Sequence, residues 1–423
     1  MTKIGQQAGI TNRPPEHLLL ATLNFATQDA RASLKALGSV VERELRSDLD
    51  AENPPEAKDQ PSAETGELGF KDDYDRAHLT ITLGISIRGF EKLGIPAEQR
   101  PQDLREIPWG QLVDAPPDSD FGDLVLQICA DNLYICEHVV RRIEEELGEE
   151  FTLVSTVIGS QRYTSRAGRT SRREGRALIG FLDGTSNLDP RNKDEDADLV
   201  FVDPEKVGEY PDLPPTEPPA EVSQYGQQPG QGPHFPPDLT PKPVSEPDWT
   251  KEGTYMTVQV SKFETQAWDG LTQDDQEKTV GRFKVSGASL DLTDEDVDLE
   301  KDPVFASDPT DLKVPVIAHI RKANPRGPDD AKRRIFRRGY PLIGAGVGEL
   351  QRGLIFISFA RTLSTQFEFI VRGWMRNKDF PTLDAGVDPL FAKVGDTILG
   401  GGYYFVPPLE HKTEPWTWKL PAP

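Results

Sequence analysis

The chain has 423 residues, 36% of them hydrophobic, and a formal net charge of -22. That length suffices for two domains, or one duplicated domain, with a sizeable core, while the charge repels nucleic acid and anionic membrane surfaces and excludes both as predicted partners. No apolar run approaches a membrane span; the mean hydropathy is -0.54.

In chain order, the opening residues "MTKIGQQAGITNRPPEHLLL" hold no long apolar core before a cleavage site and no twin-arginine pair, which predicts a cytoplasmic protein. "HLLLATLNF" reads as a first strand. "ARASLKALGSVVEREL" then places Leu34, Leu37, Val41 and Leu45 at helical spacing. The polar stretch from Asp48 to Gly69 reads as a surface loop, and "HLTITLGISI" alternates like a strand. "DLVLQICA" is a further strand, "NLYICEHVVRRIEEEL" an amphipathic helix, and "FTLVSTVIG" a strand again. The two cysteines, Cys129 and Cys136, cannot build a disulfide framework and suit a reducing compartment. Cys136 shares an apolar helix face with Val140, Ile143 and Leu147, the place of a small buried hydrophobe; with Cys129 and His138 it matches no common zinc spacing.

Between Asp203 and Trp249 the composition shifts. Thirteen of the 37 prolines lie there, so the segment forms neither helix nor central strand and reads as a linker or surface insertion. Beyond it, "TYMTVQVSKFE" is a strand, "LTQDDQEKTVGR" a helix, "GLIFISFA" a strand and "TQFEFIVRGWM" a helix. The last pair echoes the first half. "DLVLQICADNLYICEHVVRRI" from Asp123 aligns with "GLIFISFARTLSTQFEFIVRG" from Gly353 at an offset of 353 - 123 = 230, with Leu124 over Leu354 and Ala130 over Ala360. The pattern predicts two similar α+β halves, each an antiparallel sheet with helices on one face. They are taken as residues 1–190, a proline-rich 191–250, and 251–423, with the two sheets facing one another around a cavity.

Three stretches carry candidate chemistry. In "GFLDGTSNLDP", Gly180 to Pro190, Asp183 follows an apolar run. Taken alone, Asp-Gly is a turn, yet an acid beside such a run is costly to bury unless it is paired. In "VPVIAHIRKANPRG", His319 ends an apolar run and is followed by Arg321, Lys322 and Arg326, a basic cluster in an acidic protein. An imidazole beside arginines suits a cofactor that carries carboxylates, and haem fits. In "AKRRIFRRGYPLIG", Arg333, Arg334 and Arg338 read as a solvated basic face. Arg337, within a strand-like segment, points inward and needs an anionic partner.

Together "GFLDGTSN", "HIRKANPR", "IFRRGYP" and "GLIFISFA", in this order, resemble the dye-decolourising peroxidases, whose signature Gly-x-x-Asp-Gly is matched by Gly180 to Gly184. The resemblance covers most of the chain and looks closest to the longer, cytoplasmic branch. It implies a duplicated ferredoxin-like α+β fold with antiparallel sheets facing each other, helices outside, and one haem b per chain in the C-terminal half. It places Asp183 as the distal acid–base group, Arg337 as the distal arginine, 18 residues after the histidine, and His319 as the axial iron ligand. Leu354 and Phe356 would line the distal pocket, Arg321 and Arg326 would meet the propionates, and Gly184 and Thr185 would belong to the haem-binding turn. The implied reaction reduces hydrogen peroxide and oxidises dyes or phenolic compounds in one-electron steps. An aspartate in that role favours acid pH. An acceptor on the histidine's other ring nitrogen would raise its basicity, with Glu368 the one guess. Trp374 and the pair Tyr403–Tyr404 are candidates for carrying electrons to a bulky surface-bound dye, against the commoner reading of core aromatics. Charge alone raises Mn(II) as a reductant. An oligomer stays open. The alternatives are a haem-binding protein with little turnover, or a deferrochelatase-like enzyme that extracts iron from haem.

Overall fold

In the computed structural model the described residues are 5–49, 78–117, 121–164, 174–206, 233–239, 245–293, 313–327, 330–346, 349–410 and 417–421. In the first half, β1 (His17–Phe25) leads into the helix Ala30–Leu49, then β2 (Thr80–Ile85), β3 (Leu124–Ala130), the helix Leu133–Leu147 and β4 (Phe151–Ser160). The antiparallel order is β4-β1-β3-β2, the arrangement of a ferredoxin-like βαββαβ unit. A small hairpin, β5 (Arg162–Thr164) with β6 (Glu174–Arg176), follows.

The second half repeats the order. β7 (Thr254–Phe263), β9 (Tyr340–Gly346), β10 (Glu349–Ala360) and β11 (Asp396–Val406) pair antiparallel as β9-β10-β7-β11. The short β8 (Phe336–Arg337) adds to β10. Here β3 and β10, the strands that the sequence repeat aligned, are the third long strands of their units. The helix after β10 is wound in π-helical turns, Leu363–Phe367 and Ile370–Met375, a winding that is rare and frequent at functional sites.

The two sheets join edge to edge at both ends. Gly159 of β4 pairs with Leu342 of β9, and Phe405 of β11 pairs with Ile85 of β2. The period of two along each strand then sorts the side chains. Leu18, Leu20, Val258, Val260, Ile355 and Ile357 meet in one buried cluster between the sheets. Leu19, Ala21 and Leu23 turn the other way, onto Leu34, Leu37, Val41, Val139 and Ile143 of the helices. β1 is apolar on both faces, which is why "LLLATL" shows an unbroken run rather than a clean alternation.

This packing corrects one expectation. The space between the sheets is filled by core, and the large cavity lies outside the second sheet. Gln259, Ser261, Leu354 and Phe356, alternating with the inter-sheet residues, form its floor.

Cys129 and Cys136 are both free and buried, and burial pushes both thiols up, Cys136 on the helix face that its spacing indicated. The predicted surface loop from Asp48 lies outside the described residues after Leu49, and so does most of the proline-rich stretch. Its described residues 233–239 pack on the second half. Phe235 lies 5.8 Å, ring to ring, from both Phe369 and Phe380, and the Asn377 side-chain amide donates to the His234 carbonyl at 2.7 Å.

Candidate active site

A cavity of about 310 Å³ opens between the outer face of β7 and β10, the segment 177–186, the short helices His319–Ala323 and Leu390–Val394, and the π-helical stretch. Asp183, Gly184, Thr185, His319, Arg326, Arg337, Leu354 and Phe356 all line it. Arg321 does not. Its guanidinium is buried against the Val314 carbonyl, 3.0 Å away.

Asp183 is held in a turn and lines the cavity as well, exposed rather than buried. Leu182 bridges Arg176, and the Asp183 amide donates to the Gly175 carbonyl at 2.9 Å. The carboxylate accepts the Gly184 amide at 2.7 Å. Gly180 and Gly184 take φ of +92° and +74°, conformations that favour glycine. A Cβ on Gly180 would also meet Lys284 Cε at 2.6 Å.

Arg337 reaches the same turn from β8. One terminal nitrogen donates to the Thr185 carbonyl at 2.9 Å. The Arg337 backbone and the Asn187 side chain exchange two hydrogen bonds, at 2.8 and 3.0 Å. Burial lowers the guanidinium from its usual value, Asp183 acts in the opposite sense, and Arg334 adds to the lowering. The hydrogen bond to the Thr185 carbonyl is thus the direct tether of Arg337 to the Asp183 turn.

Two more arginines converge on this turn. Arg334 donates to the Ser186 carbonyl at 3.0 Å and Arg282 to the Ser186 hydroxyl at 3.3 Å; both line the cavity. The expectation of a solvated face for Arg333, Arg334 and Arg338 is corrected. Arg333 and Arg338 are buried. Arg333 stacks 3.6 Å over Phe369 and donates to Thr365, and Arg338 donates to the carbonyls of Ile10 and Asn12. Main-chain carbonyls receive part of each buried guanidinium, partners that charge density along a sequence does not register.

His319 begins its helix with Nδ1 2.7 Å from Asp388 Oδ2. Asp388 is 1% exposed at its side chain, and its other oxygen accepts the Leu390 amide at 2.9 Å. That pairing fixes the ring and leaves Nε2 for the cavity. Glu368 is not the partner. It pairs with Arg105 at 2.5 Å. Much of the remaining wall is apolar or aromatic, Phe367, Ile370, Val371 and Trp374 among it. At the end where β11 begins, burial pushes the Asp396 carboxyl up to about 6 against a hydrogen bond from Ser261. Trp374, Tyr403 and Tyr404 are all buried core aromatics; the Tyr404 hydroxyl donates to the Phe121 carbonyl at 2.5 Å. None of the three offers a surface for a dye.

Sequence reasoning missed Asp388, Asn187 and Arg282. Asp388 lies 69 residues from His319, with no spacing to connect them. Asn187 stood inside the quoted "GTSN" and was available.

Two sequence families match this architecture. "Dyp-type peroxidase, N-terminal" matches residues 7–160 and "Dyp-type peroxidase, C-terminal" matches residues 239–411. The chain belongs to the Dyp-type peroxidase family. This peroxidase is 26% identical over 415 residues to the deferrochelatase of Escherichia coli (strain K12), covering 95% of this chain and 82% of the relative. It is 25% identical to the deferrochelatase of Yersinia pseudotuberculosis over 410 residues, covering 95% and 80%. Among solved structures it resembles a DyP-type peroxidase from Cellulomonas bogoriensis, with a TM-score of 0.64, 24% identity and coverage of 96% and 94%. DtpA from Streptomyces lividans gives 0.68, 22%, 98% and 95%. A variant of DypB from Rhodococcus jostii RHA1 in complex with heme gives 0.60, 20%, 96% and 97%. Among the described residues no helix is long and apolar enough to cross a membrane, and no three His, Cys, Asp or Glu side chains gather as a metal site.

Proposed function

We propose that this Dyp-type peroxidase binds one haem b in the cavity on the second sheet, with His319 on the iron and Asp183 and Arg337 serving peroxide. The residues fit the group. An imidazole with Nδ1 engaged presents the one ring nitrogen a metal needs. The aromatic and aliphatic walls suit a porphyrin face. Arg282, Arg326 and Arg334 suit its propionates, and the Asn324 side-chain oxygen, buried in the lining without a partner, awaits a donor from a ligand or water.

Bound haem supplies the iron that gives electrons to peroxide. The chain's own residues handle the proton and the charge. Asp183 faces the cavity from a rigid turn, so its free oxygen can take the proton from one peroxide oxygen and return it to the other, which leaves as water. Arg337, tethered to Thr185, presents fixed positive charge to the oxygen that becomes negative as the O–O bond breaks. Asp388 holds the imidazole in one tautomer and strengthens it as a donor. Two one-electron oxidations of dyes or phenolic compounds would supply the two electrons that reduction of one peroxide consumes. Mn(II), suggested by a net charge of -22, is tested by looking for peroxide-dependent Mn(III).

The observation that supports this reading is the convergence, in one apolar cavity, of a carboxylate-backed histidine with an aspartate and an arginine. The test is peroxide turnover by haem-loaded protein against Asp183→Ala and Arg337→Leu. Loss of turnover with haem retained supports the roles, and full turnover in both removes them. The names of the curated relatives favour a second reading, release of iron from haem. Metal-free porphyrin, which fluoresces where haem does not, would accumulate on incubation with haem under that reading and not under the first.

A further inference from the structure

Lys322 is 0% exposed, and no substrate-facing role explains it. It stands three residues after His319 on the same short helix, "HIRKA". Its ammonium is surrounded by main-chain oxygens, those of Asn377 at 2.8 Å, Phe380 at 2.5 Å and Gly386 at 2.8 Å. The Phe380 ring centroid lies 5.6 Å away, within cation–π range. Burial pulls the amine down to about 7, with Asp388 and Asp379 acting in the opposite sense. Three acceptors call for the three N–H donors of the ammonium form, since a neutral amine has two.

These carbonyls belong to one loop. It runs from Asn377 through Gly386 and, two residues later, delivers Asp388 to His319. The helix thus grips the loop twice, by an ammonium at its middle and by an imidazole at its end. A carboxylate on a loop keeps a 2.7 Å contact only if the loop is itself fixed, and ammonium-to-carbonyl bonds are among the stronger ones available.

We propose that Lys322 is a positioning residue for the His319–Asp388 pair, holding the 377–386 loop in the shape that brings Asp388 to the imidazole. The inference rests on haem ligation by His319. Lys322→Ala leaves the three carbonyls facing a space that n-propylammonium matches. In the reduced, haem-loaded protein the histidine–iron stretching band, read by resonance Raman, reports the hydrogen bond on Nδ1. The band of Lys322→Ala shifts to lower frequency, toward that of Asp388→Asn, and millimolar n-propylammonium returns it while tetramethylammonium, which has no N–H, does not. In haem-free protein, trypsin cuts at Arg376 or Lys378 at least tenfold faster in Lys322→Ala, with the same rescue.

If the alanine variant fails to fold, Lys322→Met, which keeps the apolar stem and removes the donors, must show the same shift. A wild-type band in either variant overturns the proposal. A wild-type protein with no histidine–iron band defeats the haem reading itself, and the proteolysis comparison still decides whether Lys322 holds the loop.

Discussion

Replacing Asp103 with alanine is predicted to loosen the cavity from a distance. Asp103 comes from the N-terminal half, yet its carboxylate caps the π-helical stretch that lines the cavity. One oxygen accepts the amides of Leu363 and Ser364 at 2.8 and 2.9 Å and the Ser364 hydroxyl at 2.9 Å. The other pairs with Arg105 at 2.6 Å, and Arg105 continues to Glu368 of the same helix at 2.5 Å. Loss of a capping side chain costs about 1 kcal/mol, and the two further donors left without a partner cost about 1 kcal/mol each. Arg105 keeps Glu368, so the ion pair adds little to the loss. The sum is about 2–4 kcal/mol, seen as a lower urea midpoint of haem-free protein with an unchanged slope. Haem should also dissociate faster, since Phe367, Ile370 and Trp374 ride on this helix. Asp103→Asn, which keeps one capping oxygen, should cost about half as much by the same reasoning. A loss below about 0.5 kcal/mol for the alanine variant, the level of an ordinary surface substitution, would refute the reasoning.

Other outcomes follow from the same contacts. Asp183→Ala should lower the rate of reaction with peroxide by about 10²–10⁴-fold with haem retained, and Arg337→Leu by about 10²–10³-fold, both read by stopped-flow absorption. Asp388→Asn should weaken haem binding about 10–100-fold, measured by transfer of haem to a scavenger globin. Glu246, whose carboxyl accepts from the Tyr255 hydroxyl at 2.5 Å, is pushed by burial from 4.5 to about 7. Folding therefore favours its protonated form. Its contribution, about 3 kcal/mol at most, is fully present below about pH 4.5 and is lost as pH rises through about 7. Glu246→Gln should flatten that part of the stability–pH curve in urea titrations, and an unchanged curve would assign the slope to other groups.

The strands and long helices were legible because apolar spacing is a local signal. "HLLLATLNF" and "GLIFISFA" fall within the strands that form, "TYMTVQVSKFE" overruns its strand by Glu264 alone, and the offset of 230 found the two third strands. The closure of the sheets was not legible, since single bridges such as Gly159 to Leu342 leave no pattern in either strand. Nor was the side of the sheet on which the cavity opens. On β10 both faces are apolar, Ile355 and Ile357 for the core and Leu354 and Phe356 for the cavity, while β7 alternates Val258 and Val260 with the polar Gln259 and Ser261, which reads as a solvated face. Asp183, His319 and Arg337 stood out because each is a charged or polar group embedded in apolar sequence. Asp388 and Arg282 did not, because Asp-Pro and Gly-Arg beside short apolar residues are ordinary turn sequence. Arg333 and Arg338 were misread for the converse reason. A run of arginines resembles a solvated face until the carbonyls that receive them are seen.

The most direct measurement is the absorption spectrum of haem-loaded protein before and after one equivalent of hydrogen peroxide, for the wild type and His319→Ala. Ligation by His319 gives a Soret band in the wild type that moves on peroxide, and an altered band or lost haem in His319→Ala. The same spectrum in both proteins would contradict it by removing His319 from the iron.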